Sequence, residues 1–342
     1  MSATLESEAV ASASGRRAGP VLWWAALGAA AVLVQLYVYG GWVMSPDFRP
    51  VDPGPDPLPG VEKMWAVILQ VGFTTVTVLV IGWVVRNCIR QRTLTFDAKL
   101  MLAWWSVLWL DPVQFWLRPV NLYNSHYFNR GSWLPHIPGW ISPNMANLPN
   151  PWFVEGATYA MMIGGTIATC ALLRVVKRRW PTTSNLALFG LACAVYVLAD
   201  FLLEEFVMIR TGWLSWSGTI HSLSLFGGTR YQFPLAEALF FSAVCAAMAG
   251  LRFWRDDRGR AFVERGVERI ASRRLAGVAS TLAIVGFAQA LMIVYNVIMI
   301  GFSLYVDPIP SGYPSYMLNG ICGHGTPYQC PGPGVPIYLP HR

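Results

Sequence analysis

Of 342 residues, 54% are hydrophobic and only 13% are charged, a balance foreign to ordinary water-soluble domains and usual for integral membrane proteins. The net charge of +7 does not mark a nucleic-acid binder, because the basic residues alternate between connections instead of forming one patch. The lipid bilayer is therefore the first partner expected, and nucleic acid is excluded.

Residues 1–15 are rich in Ser, Ala and Glu and read as a disordered tail. Roughly 20 apolar residues cross a bilayer as a helix, since only a helix satisfies its own backbone groups in hydrocarbon. The first such stretch, 21–43, follows Arg16 and Arg17; its apolar core is too long for a secretory signal and no small-residue cleavage site follows, so it reads as a retained anchor. A Pro/Asp/Gly-rich loop, "MSPDFRPVDPGPDPLPG", leads to the second span, 64–85, which ends on Arg86, Arg90 and Arg92. The third span is expected at 98–118. Residues 119–151 then mix aromatics, Asn, Pro and two histidines, too apolar for a solvated linker and too Pro-rich for a helix, and read as a folded lid.

Further spans are expected at 152–175, followed by Arg174, Lys177, Arg178 and Arg179, then at 184–209 and 231–251. Eight arginines fill "RFWRDDRGRAFVERGVERIASRR" before the last span, 277–303. The fold class is thus an all-α membrane protein, a bundle of seven transmembrane helices over 16–303 with a Pro/Gly-rich tail, 304–342. The positive-inside rule puts its N-terminus in the cytoplasm and its C-terminus outside. Tryptophans near the ends, among them Trp23, Trp42, Trp83, Trp116, Trp180 and Trp213, fit interfacial belts. Cys322 and Cys330 of the tail fall on the oxidising side, where a disulfide is as reasonable as two thiols.

An acid at the centre of a span costs roughly 2.5–3.5 kcal/mol, so such residues normally face a bundle interior or a wet cavity. The stretch "ADFLLEEFVMIR" carries three: Asp200, Glu204 and Glu205. Asp200 and Glu204 are four apart and share a helical face, whereas Glu205 points about 140° away and is placed either as a substrate contact or as a residue that snorkels to the lipid edge or pairs with Arg210 or Arg230. Gln35, Gln70, Asp111, Glu155, Glu237 and Asn296 all fall towards the ends of their spans opposite the basic loops; Gln289 is nearer the middle. A polar pocket in the outer half of the bundle follows, roofed by 119–151 and the tail. An interhelical hydrogen-bond network that only fixes packing is the competing account.

A partly desolvated acid pair suits general acid and base work on hydroxyls and carbonyls, and equally a proton relay. All five histidines lie outside the expected spans, which removes haem ligation and a paired-histidine di-iron site, and a loop metal site from His126, His136 and His221 ranks well behind the acids. Lys63, Lys99 and Lys177 all lie outside the seventh span, so a retinal Schiff base there is excluded. No cofactor and no metal is expected.

Four strings, "DPVQFW" at 111–116, "NLPNPWF" at 147–153, "DFLLEEF" at 200–206 and "RYQFPLAEALFF" at 230–241, resemble the AveC-like spirocyclase family of actinobacteria, with a likeness running from the first helix to the tail. The resemblance implies closure of a dihydroxy-ketone polyketide to a spiroketal, as in avermectin, milbemycin and meilingmycin-type macrolide pathways, with a further dehydration in some members. It also implies a multi-pass protein of the cell membrane acting on a hydrophobic macrolactone. The acids of this chain give the roles: Asp200, Glu204, Glu237 and Asp111 as catalytic groups, with Glu205, Glu155, Asn296, Gln70, Gln35, Trp116, Arg230 and Tyr231 as substrate contacts. The rival readings are a transporter or exporter of the polyketide using the same acids as proton carriers, and a scaffold that recruits other enzymes through 252–274.

Overall fold

The computed structural model describes residues 19–339, so the tail 1–15, Arg16, Arg17 and His341 lie outside it. Seven helices carry the fold: α1 (Pro20–Val43), α2 (Gly60–Gln91), α3 (Phe96–Val107), α4 (Trp152–Arg179), α5 (Asn185–Leu203), α6 (Leu235–Phe253) and α7 (Arg273–Ser303). Their starts follow ordinary capping chemistry. Thr95 and Ser184 accept the backbone N–H of Ala98 and Ala187, and α1 opens on Pro20, whose missing N–H costs nothing there.

Six of the seven are long and apolar enough to cross a membrane. The third expected span is the exception. Residues 98–118 divide into the 12-residue α3 and a 3-10 segment, Leu108–Phe115, because Pro112 has no N–H to donate and its ring crowds the preceding turn. Polar side chains of α7 hold the irregular segment instead: Gln289 accepts from the Trp109 indole at 3.2 Å and donates to the Ser106 carbonyl at 2.5 Å, while Asn296 donates to the Leu110 carbonyl at 3.0 Å. Outward faces of the six long helices carry uncovered apolar side chains, with Leu33, Leu79, Leu186 and Val297 between 64% and 80% exposed. Several belt tryptophans are elsewhere: Trp42 and Trp213 are buried, packed on Trp133 and Phe73, and Trp116 packs on Trp140.

Helix α1 crosses α7 at a contact made by two glycines. A Cβ on Gly28 would meet the Leu282 carbonyl oxygen at 2.1 Å, and one on Gly286 would meet that of Trp24 at 2.1 Å. Backbone cannot retreat from backbone at that distance, so Gly286→Ala is expected to lose at least about 1–3 kcal/mol, read as a lower melting temperature in detergent than wild type.

The arginine-rich end is tied by Arg252 to Asp97 at 2.7 Å and Lys99 to Glu264 at 3.1 Å. The opposite end is covered by 44–59, 116–151, 210–234 and 304–339. These segments interlock. Strand β1 (Leu122–Tyr123) pairs antiparallel with β2 (Leu214–Ser215), and β3 (Ser224–Leu225) with β4 (Phe233–Pro234). The short helix α8 (Ser315–Leu318) joins the tail to the lid, where Ser125 donates its N–H to the Tyr316 carbonyl and Asn319 donates to that of Tyr123. Cys322 and Cys330 are disulfide-bonded in the tail.

Candidate functional site

The acidic stretch ends α5 in a π turn, Glu204–Ile209. Such turns insert a residue into the helix and recur at functional sites. Here the i→i+5 geometry sets Glu205 beneath Arg210, whose guanidinium lies 2.6 Å from the Glu205 carboxylate and stacks over Tyr231 at 4.4 Å and Phe226 at 4.9 Å. Glu205 is thereby fully buried but spent on an ion pair. Asp200 and Glu204 keep their common face and meet Glu237 from the first turn of α6, each of the three offering an oxygen within 4.8 Å of the others.

This triad forms one wall of a cavity that leaves about 630 Å³ between its lining atoms, open solvent at its mouth included. Across it stand Asp111, from the 3-10 segment, and Glu155, from the first turn of α4. Tyr159 donates its hydroxyl to Asp111 at 2.5 Å, and Tyr123 donates to the other oxygen at 3.4 Å. The Trp216 indole N–H donates to Glu204, and the Tyr295 hydroxyl lies 3.5 Å from Glu237. Among the described residues, Asp200 Oδ2, Glu237 Oε2 and Glu155 Oε1 have no hydrogen-bond partner. Among the described residues, no Lys, Arg or His lines the cavity. Carboxyls so close and so buried cannot all stay charged without compensation, so they share protons or hold a cation, and the spacing of Asp200, Glu204 and Glu237 would admit a divalent ion.

The model of the family described as "Spirocyclase AveC-like" matches residues 91–317, two thirds of the chain. The chain belongs to the AveC-like spirocyclase family. The match opens at the end of α2, after the first helix from which the likeness was expected to run, and it contains all four strings and all five cavity acids. Comparison with curated proteins and with solved structures finds no match.

In this AveC-like chain the other expected contacts are placed away from the acids. Gln70 accepts the Phe128 N–H at 2.8 Å and so pins the lid to α2; Asn296 braces the 3-10 segment; Trp116 packs on Trp140; Gln35 sits on α1 and is absent from the cavity lining. Arg230 and Tyr231 line a smaller neighbouring depression with Glu62, Arg210 and Tyr316. His126, His136 and His221 have separate neighbours: Tyr316, Asp47 and Asp307. Sequence reasoning missed Tyr123, Tyr159, Tyr295 and Trp216, which line the cavity. Only Tyr159 carried a local signal, four residues after Glu155 on one helical face.

Proposed function

We propose that this protein is a multi-pass enzyme of the cell membrane that closes a dihydroxy ketone to a spiroketal with loss of one water. The observation that carries the reading is the three-carboxyl wall in a cavity lined, among the described residues, by no basic side chain, in a chain of this family. One substrate hydroxyl adds to the ketone to give a hemiketal. Glu204 then donates a proton to the hemiketal hydroxyl, which leaves as water, and an ionised Asp200 stabilises the oxocarbenium ion that remains. The second hydroxyl closes the ring and releases its proton to Glu237, whose Oε2 has no partner, and proton transfer within the triad returns Glu204 to its starting state. Asp111, already held by two tyrosine hydroxyls, fits a charge-stabilising role better than an accepting one. Holding one folded conformer while the ring closes sets the handedness of the new centre. The hydrophobic substrate class is a polyketide macrolactone.

A symmetrical nine-carbon dihydroxy ketone, with terminal hydroxyls and a central carbonyl, tests the reaction. It closes slowly by itself to a racemic spiroketal, so an enantiomeric excess reports the protein. Purified protein in detergent, with no ion gradient, is expected to produce that excess. A racemate formed at the background rate, together with gradient-driven uptake of the ketone into proteoliposomes, would support the exporter instead. Because the triad is assigned proton chemistry, treatment with EDTA is expected to leave the rate unchanged; a loss restored by Mg²⁺ would reassign the three carboxyls as a cation site.

A further inference from the structure

Beside the acid cavity lies a second chamber, walled by α4, α5 and α6, that leaves about 570 Å³ between its lining atoms, open solvent included. The two adjoin: Thr158, Met162, Asp200, Leu203 and Phe241 line both. Their chemistry differs sharply. Asp200, lining both, is among the described residues the second chamber's one charged lining residue, and the rest of its wall is mainly apolar or small. Its two smallest lining residues, Gly165 on α4 and Ala199 on α5, are both exposed, and they lie in two of the helices long enough to cross a membrane. In a bilayer, an opening of the chamber between α4 and α5 at these small residues would face hydrocarbon. Met161 and Met162 add unbranched side chains that adapt to irregular apolar shapes.

We infer that this chamber is a subsite for the hydrocarbon arm of the substrate, which comes in from the lipid between α4 and α5 while its ketone and hydroxyls pass Asp200 into the acid cavity. The inference rests on the spiroketal-forming reading above. The junction argues for an amphipathic occupant over a lipid acyl chain. A wholly apolar chain would leave Asp200 Oδ2 beside hydrocarbon with no partner, which is costly, whereas a substrate hydroxyl placed there satisfies it.

The test compares the nine-carbon ketone with a homologue bearing a dodecyl chain, in wild type and in Gly165→Leu and Ala199→Leu. Filling the gap is expected to lower kcat/KM for the long-arm ketone at least about tenfold more than for the short one. An equal effect on both would overturn the subsite. Ala199→Val gives the same comparison if the Leu variants fail to accumulate. A dodecyl ketone with a diazirine at its chain end should label the peptide containing Met161 and Met162 in wild type, and Ala199→Leu should abolish the label. Labelling of that peptide by a diazirine phospholipid that excess dodecyl ketone does not displace would make the chamber a lipid crevice and overturn the inference. If wild type gives neither ketone an enantiomeric excess, the spiroketal reading fails, while photolabelling still decides what the chamber holds.

Discussion

Glu204→Gln is expected to lower the cyclisation rate by about 10²–10⁴-fold, the range for removing a positioned proton donor. The substitution preserves the shape: glutamine still offers an oxygen to the Trp216 indole N–H that Glu204 accepts, and the side chain remains buried in the same wall. An amide cannot supply an acidic proton, so the departing hydroxyl of the hemiketal loses its donor while the pocket still binds the ketone. The loss should therefore fall on kcat with KM little changed. Asp200→Asn removes the negative charge facing the oxocarbenium ion and should also act on kcat. Chiral chromatography of the nine-carbon product checks both, provided circular dichroism shows the helices intact. A Glu204→Gln protein that is folded and turns over at the wild-type rate would remove Glu204 from the mechanism.

The second large effect is on stability and concerns the neighbouring acid. Glu205 is 0% exposed and faces, at 2.6 Å, the guanidinium of Arg210, whose side chain is 39% exposed, so Arg210→Met strands a buried carboxylate, at a cost of up to about 3–5 kcal/mol. Thermal unfolding in detergent should show a large fall in melting temperature. The double variant Glu205→Leu with Arg210→Met, which removes both charges, should recover most of it, since an apolar pair of similar volume is often as stable as the buried ion pair. If Arg210→Met melts like wild type, or the double variant melts lower still, the pair does not brace the π turn.

That contrast between two adjacent glutamates shows where sequence reading works and where it stops. The shared face of Asp200 and Glu204 follows from helical spacing alone, and the position of Glu237 near a span's end indicates the same depth. The pairing of Glu205 with Arg210 needs the i+5 register of a π turn, which hydropathy does not signal, so its assignment as a substrate contact was as open as the pairing. The broken third span had a visible cause in Pro112, but a largely apolar run of 21 residues outweighed it when length was the criterion. Asn296, Gln70 and Gln35 shared the right depth without sharing the cavity, because depth along a helix does not fix which neighbour a face meets. Tyr123 and Trp216 reach the acids from loops ordered by the β1 and β2 pairing, a tertiary arrangement with no periodic trace in the chain.

Chiral analysis of the nine-carbon dihydroxy ketone after incubation with purified protein, without any gradient, tests the central claim most directly. Wild type should give one enantiomer of the spiroketal in excess, lighter than the ketone by one water, and the folded Asp200→Asn, Glu204→Gln double variant should give the racemate at the background rate. The same excess from both proteins, or a racemate from wild type, would contradict a carboxyl-catalysed cyclase at this site.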